Sequence, residues 1–118
     1  MTNKQIAELF SAGQFENTYP YLSEKIEWDI FGEKLLKGKK AVVEHCEQTA
    51  KYFKSVTTDF RTYNVIEDRN KIAVNGKAEF IRDGKTVAIV NACDAYECDG
   101  SGIIQKVCFY CINDAKPK

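Results

Sequence analysis

Between residues 57 and 113 apolar and polar side chains alternate through four long stretches separated by short turns, and this leaves the chain little choice but a sheet. The stretches run over 57–67, 71–82, 86–98 and 103–113. Asp83-Gly84 and Asp99-Gly100-Ser101-Gly102 have the composition of hairpin turns, and Asp68-Arg69-Asn70 is a weaker turn signal. Residues 25–31 form a further short strand that ends at Gly32.

Ahead of the long strands the spacing is helical. Thr2 followed by Gln5 has the form of a capping box, and Ile6, Leu9 and Phe10 make an apolar stripe that stops near Gly13. A second short helix is expected over 15–22, with a kink or early stop at Pro20. A third opens at Gly38, where Val42, His45, Cys46, Thr49 and Phe53 recur at spacings of three and four and share one face. The lysines at 34, 37, 39 and 40 read as a solvated turn. Helices first and strands afterwards predict an α+β architecture, three helices laid on one face of a single sheet.

A chain of 118 residues suits one domain, 1–118, with 115–118 as a loose tail. The formal net charge is zero, which argues against nucleic-acid or anionic-membrane partners. No apolar run nears the ~20 residues that span a bilayer, and the first residues lack a signal-peptide core. A cytoplasmic location is expected, with the five cysteines reduced and packed as small hydrophobes.

The strand faces carry the functional reading. Ile72, Val74, Ala78 and Phe80 share one face with Gly76; Val90, Ala92, Asp94, Tyr96 and Cys98 share another. The last strand is apolar on both sides, Ile103, Val107, Phe109 and Cys111 facing one way and Ile104, Cys108, Tyr110 and Ile112 the other. Helices cover one side of a sheet, so a homodimer through the outer face is expected.

Ser11 to Glu16 after the first helix, Ile26-Glu27-Trp28 before Gly32, Gly38 to Val42 at the third helix and Cys93 to Gly100 before the last strand occur in an order that resembles the nuclear-transport-factor-2-like superfamily, in its SnoaL-like branch. The resemblance spans nearly the whole chain. It implies a cone-shaped, strongly curved mixed or antiparallel sheet around a pocket, and members that are often dimeric. It also implies a distant similarity to ketosteroid isomerase, where a base works with a protonated aspartic acid in an apolar site. Asp94 matches the position of that acid, and Asp29 lies near the general base if one gap is allowed. Ile6 stands where the tyrosine of the oxyanion hole would be, which argues against ketosteroid isomerisation itself.

Asp94 is thus the first candidate: an acid among apolar neighbours, where burial disfavours its charged form. His45, the sole histidine, is the second acid-base candidate and Asp29 the third. Strict alternation places Trp28 and Asp29 on opposite faces, so a pocket lined by Trp28 excludes Asp29 unless a bulge intervenes. Trp28, Tyr96, Phe80, Phe109 and Cys46 are expected as ligand-contacting wall residues. One histidine and scattered cysteines offer no metal-ligand spacing, and Cys108 and Cys111 face opposite sides of a strand. No metal or cofactor is expected. The pocket would serve a small hydrophobic molecule, either as substrate of a cofactor-independent isomerase, cyclase, dehydratase or hydrolase, or as a ligand bound without turnover. A dimeric assembly domain with a closed cavity is the third alternative.

Overall fold

The computed structural model describes residues 1–114; the predicted tail over 115–118 lies outside the described residues. One six-stranded sheet, in the order β2-β1-β6-β5-β4-β3, carries all the strands. These are β1 (Leu22–Ile30), β2 (Lys34–Lys37), β3 (Thr57–Asp68), β4 (Lys71–Arg82), β5 (Lys85–Cys98) and β6 (Ile104–Asn113). Every neighbouring pair is antiparallel except β1 and β6, which run parallel. The sheet is therefore mixed.

Helix α1 (Asn3–Ser11) starts at the capping box read from the sequence. The Gln5 amide donates to the Thr2 hydroxyl at 3.1 Å and the Thr2 amide donates to the Gln5 side chain at 2.9 Å. Ile6, Ala7 and Phe10 bury its inner stripe. It ends before Gly13, whose φ of +78° favours glycine and whose Cβ, if present, would lie 2.7 Å from the Phe53 ring. The predicted second helix is a 3-10 helix over Glu16–Tyr21 with Pro20 inside it. The tighter turn accommodates the proline, which lacks the N–H that a longer α-helix would need. Helix α2 (Lys39–Lys54) buries Val42 and Cys46 and packs on β1, while α1 lies on β4 and β5.

Two sequence expectations need correction. The lysines at 34 and 37 do not sit in a turn: they bracket Leu35 and Leu36 in β2, a short edge strand on β1, and α2 begins at Lys39. Lysine-rich edges of this kind discourage further strand pairing, which explains the composition without a loop. Ile104 does not share a face with Cys108 and Tyr110. The register slips between Glu97 and Cys98, so Gln105 is an extra residue on β6 and Ile104 turns inward, fully buried beside Val107.

The core occupies one end of the concave face, where Ile26, Trp28, Ile72, Tyr96, Ile104 and Val107 meet Ile6, Phe10 and Cys46 from the helices. Towards the other end β4 and β5 present three small inward residues, Gly76, Ala78 and Ala92, before Phe80 is reached. Large side chains fill one half, and the space over the small residues stays empty. Among the described residues no helix is long and apolar enough to cross a membrane.

Candidate functional site

The empty half is a cavity of about 770 Å³. That is in the range, ~300–1,000 Å³, typical of small-molecule sites. Phe10 and Ser11 of α1, Trp28 of β1, His45 and Phe53 of α2, Phe60 of β3, Phe80 of β4, Asp94 of β5 and Phe109 of β6 all contribute to its wall.

Asp94 lies in register between Val74 and Phe109, both inward-facing, and is only 5% exposed. Its Oδ1 is buried with no hydrogen-bond partner among the described residues. Burial lifts its carboxyl from 3.8 to about 7, and the Ser11 hydroxyl pulls weakly the other way. At neutral pH this acid divides between its two protonation states, the condition under which a carboxyl both gives and takes a proton.

Ser11 is the residue that the sequence reading missed. Its Oγ lies 2.5 Å from the Tyr96 hydroxyl, so the end of α1 is pinned over the Asp94 strand. The signal was present: Ser11 follows Ala7 by four positions, on the buried stripe of the helix.

His45 lines the cavity from α2, with its ring edge-on to Trp28 at 5.1 Å between centroids. Burial lowers its pKa, Lys34 lowers it further and Glu33 opposes them, so the imidazole is neutral at physiological pH. Trp28 also meets Phe10 at 4.9 Å and Phe109 at 5.0 Å, both edge-on. Phe80 stacks on Phe53 at 5.6 Å on the opposite wall.

Three other residues lie elsewhere. Asp29 is on the convex face, in register with Cys108 and Leu35, because β1 keeps strict alternation there and Trp28 takes the inward side. Tyr96 is wholly buried in the core with its hydroxyl engaged by Ser11, so it supports the wall from behind. Cys46 is fully buried under α2 and does not reach the cavity, and burial pushes its thiol up to about 12. Among the described residues no group of three or more His, Cys, Asp or Glu side chains could hold a metal ion.

A protein from Cytophaga hutchinsonii, described as an NTF2-like protein of unknown function, superimposes with a TM-score of 0.83 at 33% identity, over 92% of this chain and 94% of that one. The chain belongs to the NTF2-like superfamily. More distant NTF2-like folds are also similar. A putative isomerase of the SnoaL-like family from Agrobacterium tumefaciens matches with TM-score 0.70 and 16% identity, covering 95% of this chain and 99% of the other. An epoxide hydrolase from M. tuberculosis, described as LEH-like, matches with TM-score 0.70 and 13% identity over 93% and 82% of the two chains. No family sequence model matches this NTF2-like chain, and no curated protein does.

Proposed function

We propose that this NTF2-like protein binds a small, mainly apolar, oxygen-bearing molecule and that Asp94 moves a proton on it without a cofactor. One observation carries the reading: a buried carboxyl, one oxygen of which has no partner among the described residues, beside a mainly apolar cavity. An orphaned polar atom costs ~1–3 kcal/mol, and a protein that retains one at a cavity wall has a use for it. His45, which lines the same cavity from α2, supplies a second acid-base group. An isomerase, cyclase, dehydratase or hydrolase would all use this pair, and an isomerase and a hydrolase stand among the structural neighbours.

The test uses α-tetralone, an apolar bicyclic ketone. At 100 times its dissociation constant it adds ~2.7 kcal/mol, a rise in Tm on the order of 10 °C. In D2O the protein should exchange the protons beside the carbonyl faster than buffer does, and Asp94→Asn should lose that acceleration. Binding without exchange would leave a ligand-binding protein and reject turnover. No rise in Tm would reject the cavity as a ligand site. Binding without turnover is favoured by one fact, the placement of Asp29 outside the cavity, which removes the second carboxyl that acid-base pairs often use.

The convex face supports a homodimer. Ile66, Tyr110 and Ile112 stand exposed there, Ile112 at 72%, and Phe31 stacks on Tyr110 at 4.6 Å. Beside them Lys37, Glu27, Lys106, Glu97 and Lys71 follow one another in register across five strands with alternating sign. Apolar area of this extent on a sheet is ordinarily covered. Light scattering at micromolar concentration should give twice the 13.4 kDa chain mass, and Ile112→Lys should halve the measured mass; a monomeric parent protein would reject the dimer. The cysteines among the described residues are all free, which fits a reducing compartment such as the cytoplasm.

A further inference from the structure

The hydroxyls of Ser11 and Tyr96 lie 2.5 Å apart, and the direction of their hydrogen bond follows from what surrounds each. Tyr96 is only 1% exposed, and its phenol has no other partner among the described residues. A phenol that only accepted would leave its own proton unmet in an apolar core, so Tyr96 donates and Ser11 Oγ accepts. A hydroxyl offers one donor and two acceptor positions. With one acceptor position taken by Tyr96, Ser11 keeps a donor and an acceptor beside the cavity that it lines together with Asp94. A carboxyl needs both from a neighbour: a donor when it is charged, an acceptor when it is protonated. We propose that Ser11 is a positioning residue for Asp94: held from behind by the Tyr96 phenol, its hydroxyl keeps the carboxyl in one place while a proton comes and goes. The proposal rests on the reading of Asp94 as the group that moves the proton.

Both hydroxyls are held by the fold. Ser11 is the last residue of α1, and the turn beyond it is tied back twice. The Gly13 amide donates to the Phe10 carbonyl at 3.1 Å and the Gln14 amide to the Leu9 carbonyl at 2.9 Å. Tyr96 follows Asp94 by two positions on the inward face of β5, about 7 Å along the strand. It stands in register between Ile72 and Val107, and Phe10 meets its ring edge-on at 6.0 Å. The surroundings of Asp94 leave the task to Ser11. β4 and β6 set Val74 and Phe109 against it, and neither carries a charge. Apart from the Tyr96 phenol, its titratable neighbours are the thiols of Cys93 and Cys111, which burial keeps neutral. His45 faces the cavity from α2 and is neutral as well. Glu33, Arg61 and Lys77 also border the cavity, and none of them acts on the carboxyl. Among the described residues the Ser11 hydroxyl is the one side-chain donor that does, and it favours the charged form.

The experiment uses the full chain and two readouts. The Asp94 carboxyl is titrated by its ¹³C signal without ligand, and exchange of the α-tetralone protons is followed in D2O. Tyr96→Phe takes one oxygen from the core and keeps the ring; Ser11→Ala takes the hydroxyl at the cavity. Each should move the carboxyl midpoint upward from about 7 and slow exchange at saturating ketone about tenfold. In Tyr96→Phe the half-saturating concentration should stay within about twofold, because the buried phenol never meets the ligand. Ser11→Thr, which restores a hydroxyl, should keep the parent midpoint. Adding Tyr96→Phe to Ser11→Ala should change neither readout further, since the phenol acts only through Ser11. A purely structural pin would lower Tm and leave the midpoint alone. An unmoved midpoint in both single variants, or a further upward move in the double variant, overturns the inference. If the parent protein exchanges no α-tetralone protons, the proton transfer proposed above fails, while the ligand-free titration still decides whether Ser11 holds the carboxyl.

Discussion

Asp94→Asn should make the protein more stable at about pH 8, by about 3 kcal/mol, while leaving the two proteins within about 1 kcal/mol of each other at about pH 4. The sign follows from the carboxyl's two environments. Unfolded, it titrates near 3.8; folded, burial holds it near 7. Between those values the native protein keeps a proton that the unfolded chain has released. Stability is thus fully present below about 3.8, declines as the pH climbs to about 7, and is flat beyond. The displacement corresponds to about 4 kcal/mol, from which the amide's own unmet hydrogen bonds subtract about 1. Denaturant titrations of both proteins across this range check it, and parallel stability curves would show that Asp94 is not the buried acid described here.

Gly76→Ala should lower stability by about 3 kcal/mol, a drop in Tm on the order of 10 °C. Gly76 stands opposite Thr62, beside the register shift that leaves Tyr63 unpaired in β3. A Cβ there would press into the backbone carbonyl oxygen of Arg61, which has no freedom to move within the ladder. Gly100 serves as the control, since a Cβ at that position meets open space. Gly100→Ala should change stability by no more than about 0.5 kcal/mol. Equal melting temperatures for the two variants would show that the close approach at Gly76 does not constrain the sheet.

Most of the architecture was legible in the sequence because alternation is a local property. The limits of β4 were read to the residue, and those of β3, β5 and β6 to within one position. Parity puts Trp28 and Asp29 on opposite faces, and the apolar residues that share a face with Asp94 point that acid inward. What escaped were features set by distant partners. The strand Lys34–Lys37 has no pattern of its own length to reveal it and exists because β1 offers an edge. The bulge that turns Ile104 inward depends on the facing strand, and no spacing within β6 announces it. Ser11 shows in the sequence only its place on the buried stripe of α1; its importance comes from Tyr96, which a different part of the chain provides. Asp29 shows the reverse case: alternation favoured the outward position, and resemblance to a catalytic family pulled toward the inward one.

The parallel pairing of β1 with β6 bears on the order in which the protein can be assembled during synthesis. Strands β3 to β5 form successive hairpins and can zip up as they leave the ribosome. β1 emerges early yet must wait for nearly the last segment of the sheet before it has a neighbour on that side. Until β6 arrives, Trp28 lacks Val107 and Phe109, and one wall of the cavity does not exist. A ribosome-bound chain that has emerged only through β5 is a half-built vessel with its greasiest ring unshielded, and the cavity closes only once β6 is in place.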